Sequence, residues 1–259
     1  MTQRMPAVFL GHGSPMNALS DNAHTQAWTA LGRSVPRPRA VLAVSAHWYI
    51  PHCAVTANAW PPTIHDFVGF PEALYQASYP APGSPELARR VLELLDPVPV
   101  DLDEGWGLDH GTWSVLAHVF PDADIPVVQL ALDRTRDPAY HLDLGRRLRP
   151  LREEGVLIVG SGNVVHNLAR YAWDGEPAPA PEWAVRFEAR VREAVTAGDD
   201  TALADYPGLD PEARLAVPTP EHFLPLLYVL GPRLETDPVT FPTEGLEGGT
   251  ISMLSARIG

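Results

Sequence analysis

The sequence predicts an α/β fold, a single domain with a central, mostly parallel mixed sheet covered by helices and a site at the carboxyl ends of the strands. Three observations carry that prediction. The apolar runs Val8-Phe9-Leu10, Val41-Leu42-Ala43-Val44 and Leu157-Ile158-Val159 are continuous rather than alternating, as expected of strands buried on both faces. Amphipathic segments separate them, which is the grammar of βαβ units. Each run stops in small residues and delivers a histidine: His12 in Gly11-His12-Gly13-Ser14-Pro15, His47 in Ser45-Ala46-His47-Trp48, and His166 after Gly160-Ser161-Gly162-Asn163. Ligands in open α/β sheets bind just beyond the strand carboxyl ends.

Taken in order, the first strand leads to helical spacing over Ala18 to Leu31, with Ser20 or Asp21 placed to cap it and Pro36 and Pro38 to end it. Ala40 to Ala46 forms the second strand, adjacent and parallel to the first and joined to it by a right-handed crossover. Tyr49 to Pro82 is rich in aromatics and prolines and poor in helical period, so it reads as a long loop region walling a pocket. Ser84-Pro85-Glu86 is a strong helix start leading to Leu95, and Val98-Pro99-Val100-Asp101 reads as a short strand. Trp106 to Trp113 is a polar and aromatic loop that opens a helix through Val119. Pro126 to Leu132 is a further buried strand, Asp137-Pro138 caps a helix to about Leu151, and Gly155 to Val159 is the next strand. Glu182 to Ala197 is an amphipathic helix stopped by Gly198, and Asp210-Pro211-Glu212 begins a shorter one. Pro218 to Tyr228 places His222 in the first turn of a buried helix, and Gly249 to Ser255 reads as a closing strand of the sheet.

Composition narrows the function. A formal charge of −13 argues against nucleic acid or an anionic membrane as partner, because phosphate binding begins from a basic patch. No apolar run approaches the roughly 20 residues that span a bilayer, and Met1 to Pro6 leads straight into the first core strand. The one cysteine, Cys53, excludes an internal disulfide and a cysteine-based zinc site. A cytoplasmic protein, monomeric or a small homo-oligomer, is expected.

His12 and His47, each directly after a buried strand, point to a shared metal ion, since imidazole suits iron, zinc and copper. A third ligand is needed, and His222 and Glu221 are the natural suppliers. His166 and His110 then remain as titratable groups for the same pocket, with Asp109 able to orient His110. Gly160-Ser161-Gly162 lacks both phosphate-binding fingerprints and reads as a tight turn that lets His166 approach. Ser14 does not sit in a nucleophile elbow. His24, His52, His118 and His141 have structural contexts, and His65-Asp66 reads as a solvated loop pair.

Five segments taken together, Gly11 to Pro15, Ser45 to Trp48, Asp109 to Trp113, Gly160 to Asn167 and Pro220 to Leu226, resemble the class III extradiol aromatic ring-opening dioxygenases. Within them the chain looks most like the 4,5-DOPA dioxygenase extradiol branch, related to the LigB catalytic subunit. The resemblance runs from about Ala7 to Ser255 and implies one catalytic domain over residues 1–259. It implies His12, His47 and His222 as metal ligands, where better-studied ring-cleaving enzymes use two histidines and a glutamate. It assigns His166 as acid/base and as a possible fourth ligand, and His110 to substrate or oxygen. Ser14, His110 and Trp113 would contact substrate, and Trp48, Phe67 and Phe70 are further candidates for the ring pocket. The implied reaction opens a catechol with dioxygen; Fe(II) serves turnover, and zinc is associated with related bacterial proteins. The rivals are a zinc-dependent hydrolase and a non-catalytic binding protein built on the same pocket.

Overall fold

A computed structural model of the chain describes residues 4–173 and 179–259. Its strands are β1 Ala7–Gly11, β2 Ala40–Ile50, β3 Cys53–Thr56, β4 Val100–Asp103, β5 Val127–Asp133, β6 Val156–Gly162, β7 Val239–Thr240, β8 Leu246–Glu247, β9 Ile251–Ser252 and β10 Ala256–Ile258. The helices are α1 Ala23–Ser34, α2 Glu72–Tyr75, α3 Pro85–Leu95, α4 His110–Val119, α5 Pro138–Arg147, α6 Pro150–Glu153, α7 Glu182–Ala197, α8 Asp200–Ala204, α9 Ala213–Ala216 and α10 Leu224–Leu230. Short 3-10 turns at Pro15–Leu19 and Pro220–His222 matter to the site. No described helix is long and apolar enough to cross a membrane.

Eight strands form one mixed sheet in the order β4-β3-β5-β2-β6-β1-β10-β7. The central β5, β2, β6 and β1 are mutually parallel, while β3 runs antiparallel to β5 and β10 antiparallel to β1. Side chains alternate across each strand, so every buried strand feeds two cores. Phe9, Leu42 and Val44 pack with α3, α5, α7 and α10 on one face, whereas Leu10, Val41 and Val159 pack with Trp28 of α1 and Trp113 of α4 on the other. All seven residues of α10 are buried, as expected of a helix that is apolar all round.

Local chemistry sets most element ends. Ser84 Oγ accepts from the Leu87 N–H at the start of α3, and Asp109 Oδ1 accepts from the Thr112 N–H at the start of α4. Gly198, at φ 79°, closes α7 in the left-handed conformation. At α1 the cap is Asn22 rather than Ser20 or Asp21: its side chain accepts from the His24 and Thr25 N–H groups, and the Thr25 hydroxyl oxygen accepts from the Asn22 N–H.

Five expectations change. The strands β1 and β2 are not neighbours, because β6 lies between them and pairs with both. The strand β2 does not end at Ala46 but runs to Ile50 through an irregularity in its pairing with β5 between Val44 and Tyr49. The segment from Tyr49 to Pro82 holds β3 and α2, and the helix that starts at Pro138 breaks before Pro150. Finally, Gly249 to Ser255 supplies β9, which pairs with β8 in a separate hairpin, and the closing strand of the main sheet is β10.

Candidate metal centre

The carboxyl ends of β1, β2 and β6 bring the histidines together. His12 follows β1 directly, and its backbone N–H donates to Gly162 O at 3.1 Å, extending the ladder to β6. His47 lies within β2, in the irregular stretch that re-aims the strand, a common use of bulges beside functional sites. His222 arrives from the far end of the chain. Its 3-10 turn is tied to β6 through the Asn163 N–H, which donates to His222 O at 2.9 Å.

The glycines permit that docking. A Cβ on Gly162 would lie 2.1 Å from His222 O, and one on Gly160 would lie 2.4 Å from Pro225 O. These glycines are therefore room for the His222 segment inside a strand, not a turn that frees His166. Gly11 likewise accommodates the Met253 backbone, where a Cβ would meet the carbonyl carbon at 2.7 Å.

The rings of His12, His47 and His222 form a nearly equilateral triangle, with centroids 5.2, 5.4 and 5.2 Å apart. Each offers a nitrogen within 4.8 Å of the others. Their tautomers follow from the opposite ring nitrogens. The Ser161 hydroxyl donates its proton to Gly111 O, so its oxygen can only accept from His12 Nδ1, 3.0 Å away. His47 Nδ1 lies 3.3 Å from Asp66 Oδ2 and His222 Nδ1 lies 3.3 Å from Glu221 Oε1, both acceptors. With the protons on Nδ1, Nε2 is the nitrogen of each ring left with a free lone pair. His12 Nε2 and His47 Nε2 are 3.4 Å apart, less than twice the ~2.1 Å metal–imidazole bond, so one ion reaches both. Two lone pairs at that distance repel without a cation between them, and the donor set fits a divalent transition metal.

Electrostatics keep these groups neutral. Burial, reinforced by the neighbouring imidazoles, holds His12 and His222 well below the ordinary histidine value. Burial and His110 lower His47 to about 3, and burial lowers His166 to about 4. Burial alone would raise Asp66, but hydrogen bonds and charge from His110, with His47, outweigh it and lower its pKa. Asp66 thus stays an acceptor between two rings: His110 Nδ1 is 3.0 Å from Oδ1, which also accepts from the His110 backbone N–H at 2.9 Å.

A cavity of about 270 Å³ opens on this centre, lined by the histidines and by Ser14, Phe67, Phe70, Tyr171 and Glu247 among others. His166 borders it, stacked on His222 with centroids 3.5 Å apart and planes 6° from parallel. His166 shares a grouping with Glu221 and His222 rather than with the full triad, so it flanks the triangle. His110 faces the cavity beside His47, at 3.8 Å between centroids.

A family profile described as the catalytic LigB subunit of aromatic ring-opening dioxygenase matches residues 6–259. The chain belongs to this family. It is 54% identical over 261 residues to the 4,5-DOPA dioxygenase extradiol of Escherichia coli (strain K12), covering 99% of this chain and 95% of that one. The Beta vulgaris protein of the same name is 39% identical over 252 residues, covering 94% and 92%. A crystal structure of an uncharacterized protein from Escherichia coli K12 superposes with a TM-score of 0.87 at 48% identity, covering 99% and 100% of the two chains.

Some expectations about single residues shift. Trp113 does not reach the cavity; it is buried behind it, and its indole N–H donates to Ile64 O at 2.8 Å. Trp48 stacks on Trp106 in a separate cluster, at 5.6 Å and 8°, whereas Phe67 and Phe70 do line the pocket. Asp109 does not orient His110 but caps α4 and pairs with Gln129. The carboxylate beside the His110 ring is Asp66, half of the pair read as solvated. Ser161, Tyr171 and Glu247 also gave no signal, because nothing in their local pattern shows which distant groups they meet. Cys53 is buried, with its thiol pushed up to about 12 by burial, consistent with an inert packing residue.

Proposed function

We propose that this LigB-family enzyme is a metal-dependent extradiol dioxygenase that opens the ring of a catechol such as DOPA with dioxygen. The observation that carries the reading is the triangle of free Nε2 lone pairs at the floor of an aromatic cavity. At about 270 Å³ that cavity lies just under the range for drug-sized ligands and suits a single ring.

His12, His47 and His222 would hold the metal. When bound, the ion would supply positive charge for the two diol oxygens and, as iron(II) but not as zinc, a redox-active route by which the catechol's own electrons reach dioxygen. The remaining work belongs to the chain. Neutral His166 accepts a phenolic proton on a free ring nitrogen, making the ring electron-rich. His110, braced by Asp66, presents its imidazole to the diol or oxygen, and the Ser14 hydroxyl borders the same space. Phe67 and Phe70, packed edge to face on each other, give the ring an aromatic wall and exclude water. Both oxygen atoms end in the product as the bond beside the diol opens to a semialdehyde and an acid. A cytoplasmic setting belongs to this reading, supported by one buried, unpaired cysteine.

Anaerobic reconstitution of metal-free protein with Fe(II), addition of a catechol and admission of air tests the proposal. Oxygen uptake with a new visible absorption is expected. No uptake across a panel of catechols including DOPA refutes it. Hydrolytic turnover by the zinc-loaded protein would instead favour the hydrolase, and catechol binding without chemistry the binding protein.

A further inference from the structure

Away from the histidines, the described residues lining the cavity include a single carboxylate, Glu247, and no arginine. The chain contains no lysine at all. Glu247 is placed by the β8–β9 hairpin, where it pairs directly with Ile251, which also lines the cavity. Ile251 in turn bridges His166. His166 and Glu247 are therefore two strand spacings apart, roughly 10 Å. That is the reach of a catechol ring carrying a two-carbon arm.

Burial raises the pKa of Glu247, and no arginine among the described residues pairs with its carboxylate to offset that cost. The neighbouring cationic candidate is His24, whose Nε2 is 3.6 Å from Oε1. Burial lowers the pKa of His24, favouring its neutral form. An aromatic ring lies close by in the same wall: Tyr171 borders the cavity and packs on Gly248, next to Glu247 in the chain, where a Cβ, at φ +52°, would lie 2.2 Å from its ring. Burial and the charge of Glu247 both raise the Tyr171 hydroxyl pKa, which places the two side chains within electrostatic reach. A partly desolvated carboxylate beside a π-face is the composition of an ammonium subsite.

We propose that Glu247 determines specificity by receiving the ammonium of a catechol with a cationic amine arm, so that such catechols are favoured over those with a carboxylate arm. The inference rests on the ring-opening reading above. A carboxylate arm in the same position would meet Glu247 with like charge and find no lining cation.

Calorimetric titration of zinc-loaded protein with dopamine, 3,4-dihydroxyphenylacetate and neutral 4-methylcatechol tests it without requiring turnover. Dopamine should bind tenfold or more tighter than the acid, about the size of one charge-assisted hydrogen bond. Glu247→Gln should shrink that ratio about tenfold, and Glu247→Arg should invert it, with thermal unfolding confirming that both variants fold. Equal affinities in the wild type, or an unchanged ratio in folded Glu247→Gln, overturn the inference while 4-methylcatechol binding upholds the site. Failure of 4-methylcatechol to bind the metal-loaded protein defeats both readings together.

Discussion

Replacing Asp66 by Asn tests whether the carboxylate sets the tautomer of His47, one of the three proposed metal ligands. Oδ2 lies 3.3 Å from His47 Nδ1, while Oδ1 lies 3.0 Å from His110 Nδ1 and accepts from the His110 N–H. Asparagine keeps one acceptor oxygen but turns the other position into an N–H₂ group. If the oxygen stays with His110, a donor faces the Nδ1 proton of His47. His47 must then lose this carboxylate contact or move its proton to Nε2, where it would block a metal. The loss is that of the carboxylate partner behind a metal-binding imidazole, roughly 10- to 100-fold in metal affinity. Competition of wild-type and Asp66→Asn protein against a chromophoric chelator for Zn(II), with circular dichroism as a folding control, measures it. A folded variant that binds zinc with wild-type affinity would refute the tautomer argument.

Three further outcomes are expected. His166→Ala should retain its metal by elemental analysis yet lose about 100-fold or more in ring-opening rate, the usual scale of general acid–base catalysis; normal turnover would remove His166 from the mechanism. Gly162→Ala drives a methyl toward His222 O, where the Cβ would sit at 2.1 Å, so a loss of about 1–3 kcal/mol in urea unfolding should accompany weaker metal binding; unchanged values in both would contradict the docking role. The metal-free protein should lose stability as pH falls from 6.5 toward 4, because an unfolded histidine takes up protons there while buried His166, lowered to about 4, does not. That difference is worth about 3 kcal/mol above pH 6.5 for His166 alone. His12, His47 and His222 act with the same sign, and Asp109, raised to about 6 by burial, acts against them. Equal urea midpoints at pH 7.5 and 5 would rule this out.

The legible parts of the chain were those written in local chemistry. Continuous apolar runs marked β1, β5 and β6, and Ser84-Pro85-Glu86 and Gly198 marked a start and a stop, because caps and breakers act over one turn. His12 and His47 stood out because each follows an apolar run within a few residues. The order of strands was not legible, since β6 enters between β1 and β2 through a pairing about 150 residues away in sequence, and apolar runs do not name their partners.

By itself, then, the sequence determined the class of fold, the positions of its main helices and a pool of histidines at strand ends. These follow from residue type and short spacing. The resemblance already joined His12 and His47 with His222 from a distant turn, and tertiary structure alone decided how their rings are set against one another. Asp66, Ser161 and Glu221 set those tautomers through contacts that, Glu221 excepted, cross the chain. It also moved Trp113 behind the pocket, and it turned Gly160 and Gly162 from a turn into the surface on which His222 docks. A hydrogen bond depends on distance in space, and only packing sets that distance for residues far apart in the chain.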